Sequence, residues 1–154
     1  MPATLSSVRG RTFECRVSVD PAIPEELQTA KDYFHVVARE FSFTAADLRV
    51  LREQEGTYPD EAAISLVRKV IVSWDLKPGA TDEQTKRLQD ALDAEEVAQI
   101  MAEIDETTAQ QKPIPLTPEG LAEVPVDLLT MAVLAVQRHI AERRRPNPNG
   151  ISPS

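Results

Sequence analysis

Thr12-Phe13-Glu14-Cys15-Arg16-Val17-Ser18-Val19 decides the fold class, because Phe13, Cys15, Val17 and Val19 alternate with Thr12, Glu14, Arg16 and Ser18. A period of two sets all the apolar members on one side of an extended chain, the pattern of a strand covered on one face. Tyr33 to Phe43 is the next extended stretch, rich in aromatic and β-branched residues. Phe34, Val36 and Ala38 form one alternating set there and Phe41 and Phe43 the other, so this strand carries a bulge near Arg39-Glu40. A single helix from Pro24 to Phe41 is the competing reading. Between the strands Asp20-Pro21 stops the first, and Pro24 ahead of Glu25-Glu26 suits a short helix reaching about Asp32.

The remainder reads as helical. Thr44 is a good N-cap for Ala45 to Glu55, with Asp47 at N3 and Gly56 as the stop. Pro59 opens a second helix, whose Ala63, Ile64, Val67, Val70, Ile71 and Trp74 follow helical spacing and end before Pro78-Gly79. Thr81 with Gln84 and Asp93 with Glu96 are two capping signatures, predicting helices over Asp82 to Leu92 and Ala94 to Glu106. The second of these would bury Val97, Ile100, Met101 and Ile104. Thr107 to Leu116 reads as a linker, Thr117-Pro118-Glu119 starts a helical turn, and Pro125 begins the last long helix. The expected fold is therefore α+β, a mostly helical bundle with a small N-terminal antiparallel β element. It is read as one domain over 1–145 (β element 12–43, helical part 44–145), followed by a disordered tail over 146–154 that contains Pro146-Asn147-Pro148-Asn149-Gly150.

Composition excludes several function classes. With 25 acidic against 17 basic residues the charge is -8, which argues against nucleic acid as a partner. The lone Cys15 cannot make an internal disulfide and reads as a small buried hydrophobe. No basic-then-apolar run suggests an export signal, and no apolar stretch approaches the roughly 20 residues of a membrane span. Five scattered glycines form no phosphate-binding loop, so no nucleotide cofactor is expected. His35 and His139 lack neighbours at metal-ligand spacing, and carboxylate pairs such as Asp60-Glu61 point apart on a helix. Neither a catalytic set nor a metal site emerges. Acidity is concentrated in Asp82 to Glu106, where nine acidic residues face two basic ones, and reads as a solvated helix surface.

Partner-binding candidates are fewer and clearer. Trp74 is a core anchor at a helix end or, alternatively, a binding hot spot. In the last helix Leu128, Met131 and Leu134 widen the stripe of Leu129, Val133, Val136 and Ile140 to nearly the whole circumference. Such a helix is buried within its own fold or against another chain, so self-association joins the expected interactions.

Ile71-Val72-Ser73-Trp74-Asp75-Leu76 follows an amphipathic helix. Downstream come Pro113-Ile114-Pro115-Leu116-Thr117-Pro118-Glu119-Gly120-Leu121 and Val124-Pro125-Val126-Asp127-Leu128-Leu129. In this order the blocks resemble tail assembly chaperones of long-tailed bacteriophages, over about Asp60 to Arg145. The departure from that pattern is a long acidic helical insert, Lys77 to Gln111, between the motifs. The resemblance implies a non-enzymatic factor of the host cytoplasm, absent from the mature virion, that coats the tape measure protein and recruits tail tube protein subunits. A structural or connector component retained in the virion is the alternative.

Overall fold

The structure, a computed structural model, describes residues 2–53 and 60–144. Its elements are α1 (Leu5–Arg9), β1 (Thr12–Ser18), β2 (Tyr33–Arg39), α2 (Ala45–Glu53), α3 (Asp60–Val70), β3 (Ile71–Trp74), α4 (Asp82–Asp90), α5 (Ala94–Gln110), α6 (Pro118–Ala122) and α7 (Val126–Arg143). This is the α+β class, helix-dominated with one small antiparallel sheet of order β1-β2-β3. The stop at Gly56, the helix opening at Pro59 and the tail over 146–154 fall outside the described residues.

The two expected strands form and pair antiparallel, Cys15 opposite Val36 and Val17 opposite Phe34, which excludes a helix over 24–41. β2 ends at Arg39, short of Phe43, because the Glu40 N–H takes Arg11 O at 2.9 Å where β1 has run out, and Ser42 Oγ then turns back to Arg39 O at 2.9 Å. Instead of a helix to Asp32, the connection holds a single 3-10 turn, Glu25–Leu27. Gln28 fixes it there, donating to Ser18 Oγ at 2.9 Å and Ile23 O at 3.1 Å and accepting from Arg16 at 2.6 Å.

A third strand corrects the helix expected over 59–75. The α-helix stops at Val70 and the chain passes directly into β3, with Arg39 Nη1 donating to the terminal carbonyls of Lys69 at 2.8 Å and Arg68 at 3.4 Å. The sheet register runs Val36 to Trp74, Val37 to Ser73 and Ala38 to Ile71, leaving Val72 as an unpaired bulge residue. A bulge shifts the alternation by one, so Ile71 and Trp74 face the same side although they stand three positions apart. Their spacing imitates a helical stripe. Trp74 is nevertheless buried, at 7% exposure, with its ring edge-on to Phe34 at 5.9 Å.

Where the sequence reads as one domain, the chain divides into two compact units, 1–74 with 116–154 and 75–115. In the first, α3 and α7 pack together and α7 packs on β1. The core joins Val17, Phe34, Val36, Ala38 and Ile71 of the sheet to Ala63, Val67 and Val70 of α3 and to Leu129, Ala132, Val133 and Val136 of α7. α2 is capped as expected: Thr44 Oγ1 accepts from Asp47 N at 3.2 Å, and Asp47 Oδ2 accepts from Thr44 N at 2.9 Å and from Lys69 Nζ at 2.5 Å. α7 ends in a clamp, with Arg144 donating to Glu40 O at 3.2 Å and stacking over Phe41 while Arg143 lies over Phe13.

The second unit is a helical hairpin. Thr81 and Gln84 form the expected capping box, and Asp93 accepts from Glu96 N at 2.8 Å. Arg87 meets Glu103 at 2.7 Å and Gln84 donates to Thr107 at 3.1 Å across the hairpin. Of the apolar positions expected inside α5, Ile100 is buried, Met101 and Ile104 are partly so, and Val97 is exposed. A hairpin of two helices has only one shared seam, too narrow for all four. α5 runs four residues past Glu106, so the connector shortens to 111–116. Gly79, at φ +78°, makes the turn into the hairpin and exchanges hydrogen bonds with Gln111, and Ile114 N donates to Leu76 O at 2.8 Å.

Two outcomes are expected. Trp74→Ala should cost about 3–5 kcal/mol in denaturant unfolding, whereas Val72→Thr at the bulge should stay within about 0.5 kcal/mol. For Asp47, burial pushes the carboxyl upward, but the hydrogen bonds from Lys69 and Thr44 outweigh it and hold the group below its ordinary 3.8. A lowered carboxyl stabilises the fold above its ordinary value and loses that contribution as pH falls through its folded one. Asp47→Asn should therefore be less stable than wild type at pH 7, with the gap closing below about pH 3.8.

Candidate functional site

α7 buries Leu129, Ala132, Val133, Val136 and Ile140 against the sheet and α3, a spacing that accounts for one helical face. Its other side is only partly covered. Leu134 is 37% exposed, Met131 is half-buried, and both line a groove of about 290 Å³ against β1. The β1 wall is Cys15 to Ser18, continued by Pro21 and Glu25, and α7 adds Ala135, Arg138, His139 and Glu142. At the far end His139 stacks on Phe13, centroids 4.9 Å apart and 10° from parallel, pinning the helix to the strand.

The groove's lining mixes apolar side chains such as Met131, Leu134 and Ala135 with the charged Glu25, Arg138 and Glu142. Cys15, its one thiol, is 5% exposed. Burial raises its pKa, with Glu142 reinforcing and Arg138 opposing, so the thiol stays protonated and poorly nucleophilic at neutral pH. Among the described residues no three His, Cys, Asp or Glu side chains converge as a metal site would require. The groove can seat an apolar side chain or helix face and orient it by charge.

Of the four partner-binding candidates, the structure brings Met131 and Leu134 to this groove. Leu128 is half-buried outside the lining, and Trp74 sits in the core, at the end of β3 and not at a helix end. Sequence reasoning missed the opposite wall, since nothing in the strand's alternation says which edge stays open. A second depression, of about 400 Å³, is lined by Leu5, Arg9, Arg39, Phe43 and Lys69. Its Arg39 and Lys69 are engaged by helix carbonyls and by Asp47. Among the described residues no helix is long and apolar enough to cross a membrane. Comparison with protein-family models, curated proteins and solved structures finds no match.

Cys15 is expected to resist a thiol reagent such as DTNB in the native protein and to react fully in denaturant; rapid native labelling would show that the groove floor is open.

Proposed function

We propose that the chain is a non-enzymatic assembly factor, a tail assembly chaperone of the host cytoplasm that holds a tape measure protein and recruits tail tube subunits to it. The observation that carries this reading is the open side of α7, where Leu134 and Met131 face a groove instead of the core. An amphipathic client helix would bury its apolar stripe there, with Arg138, Glu25 and Glu142 at the rim setting its orientation. Support for the client's identity comes from the ordered sequence blocks Ile71 to Leu76, Pro113 to Leu121 and Val124 to Leu129. Most of their residues fall in the unit 1–74 with 116–154, while 75–115, which contains the acidic insert, is a compact unit of its own. The excess of acid in that insert would keep a complex with an aggregation-prone client soluble.

Co-expression tests the reading. Wild type should keep its cognate tape measure protein soluble and co-purify with it, and Leu134→Asp should weaken capture by at least about tenfold at unchanged melting temperature, because a charge in an apolar interface must be desolvated. Failure of wild type to bind either tape measure or tube protein would overturn the proposal. Its recovery from purified particles at fixed copy number would favour a structural component instead.

A further inference from the structure

The turn of the acidic hairpin leaves an apolar side chain in water. Leu92, between α4 and α5, is 93% exposed. It stands just before the N-cap Asp93, where an apolar residue ordinarily packs on the fourth residue of the helix. That residue is Val97, itself 37% exposed, so the pairing leaves Leu92 uncovered. The backbone beneath it is nonetheless held: Asp93 accepts from Glu96 N at 2.8 Å, and Leu92 N donates to Glu96 Oε2 at 3.4 Å. A tip held in this way gives up little freedom when a partner buries it. Around Leu92, residues 88–98 carry four acids, Asp90, Asp93, Glu95 and Glu96, and no base. α5, 17 residues long, sets the tip about 25 Å from the end of the hairpin where Ile114 meets Leu76.

The depression of about 400 Å³ beside α1 has the complementary character. Leu5, Phe41 and Phe43 give it apolar surface, and Arg9, Arg39 and Lys69 line it with no acidic residue among them. Lys69 is neutralised by Asp47. Arg39 donates to the carbonyls of Arg68 and Lys69, which hold it without cancelling its charge, and Arg9 is exposed with no carboxylate against it among the described residues. Uncompensated positive charge therefore stands beside an apolar hollow. The α7 groove, by contrast, sets Glu25 and Glu142 beside its arginines and offers an acidic tip no net attraction.

We infer that the chain self-associates head to tail, Leu92 of one copy entering this depression on the next, with the acids of the tip set against Arg9 and Arg39. Burying Leu92 against Leu5, Phe41 and Phe43 removes apolar surface from water on both sides, while the charges at the rim select this hollow and steer the approach. Tip and depression are different surfaces, so a bound pair still presents one free tip and one free depression. Association then continues past two copies unless it closes as a ring. The contact does not rest on the client proposed above, which takes the α7 groove.

Sedimentation velocity on the full chain tests it. Wild type is expected to associate with rising concentration into species beyond a dimer, more weakly as added salt screens the charges. Leu92→Asp and Leu5→Asp, both at exposed positions, should each weaken association by at least about tenfold. Mixed in equal amounts, the two variants should form a one-to-one dimer and stop there, because each such pair retains one intact tip and one intact depression. Circular dichroism checks folding, and Arg9→Glu takes the place of Leu5→Asp should that variant not fold. A wild type that stays monomeric to about 0.5 mM would overturn the inference. So would association indifferent to Leu92→Asp, or two folded variants whose mixture stays monomeric or grows beyond a dimer.

Discussion

The sheet face bearing Val17, Val36, Ala38, Ile71 and Trp74 must be kept from water, and α3 and α7, packed on each other and on β3 and β1, cover it. Three strands at about 4.8 Å spacing span roughly 10 Å between outer axes. Two helices packed side by side put their axes about 8–10 Å apart, nearly the same span. α3 is tied in place because it runs without a loop into β3, and α7 packs beside it on β1. The groove that exposes Leu134 lies on the flank of α7 that α3 does not cover.

Much of this architecture is legible in the sequence where a local rule acts alone. The alternation of Phe13, Cys15 and Val17 identifies β1, and side-chain caps at Thr44, Thr81, Asp93 and Thr117 mark helix starts within a residue of those observed. β3 is hidden because a bulged strand and a helix can both bury residues i and i+3, and Ile71 and Trp74 satisfy either. The short α1 is equally hidden, since one turn capped by Thr4 and Ser7 shows no period and buries none of its residues. The separate compactness of 75–115 depends on hairpin contacts such as Arg87 with Glu103, which no single helix pattern announces.

The site divides along the same line. Met131 and Leu134 stand out because the apolar positions of α7 exceed what one buried face needs. Trp74 was open to two readings by chemistry, and the bulge that turns it inward could not be read from spacing. The β1 wall and the positions of Arg138 and Glu142 beside Cys15 arise only when strand and helix meet. Likewise the helical pattern of α7 gives no sign that Arg143 and Arg144 hold the helix against Glu40, Phe13 and Phe41.

The hydrogen bond from Ile114 N to Leu76 O has a consequence for how this chain could change over time. It brings the two ends of the acidic hairpin side by side, so the segment between them begins and finishes at nearly one point. The entropy of closing such a loop grows only with the logarithm of its length, about 0.6 kcal/mol per doubling. Gain or loss of residues there is thermodynamically cheap, and selection can lengthen, trim or exchange the hairpin as a cassette while the sheet and α7 keep their sequence. For protein engineering, the same doorway is a natural point at which to splice in a reporter domain.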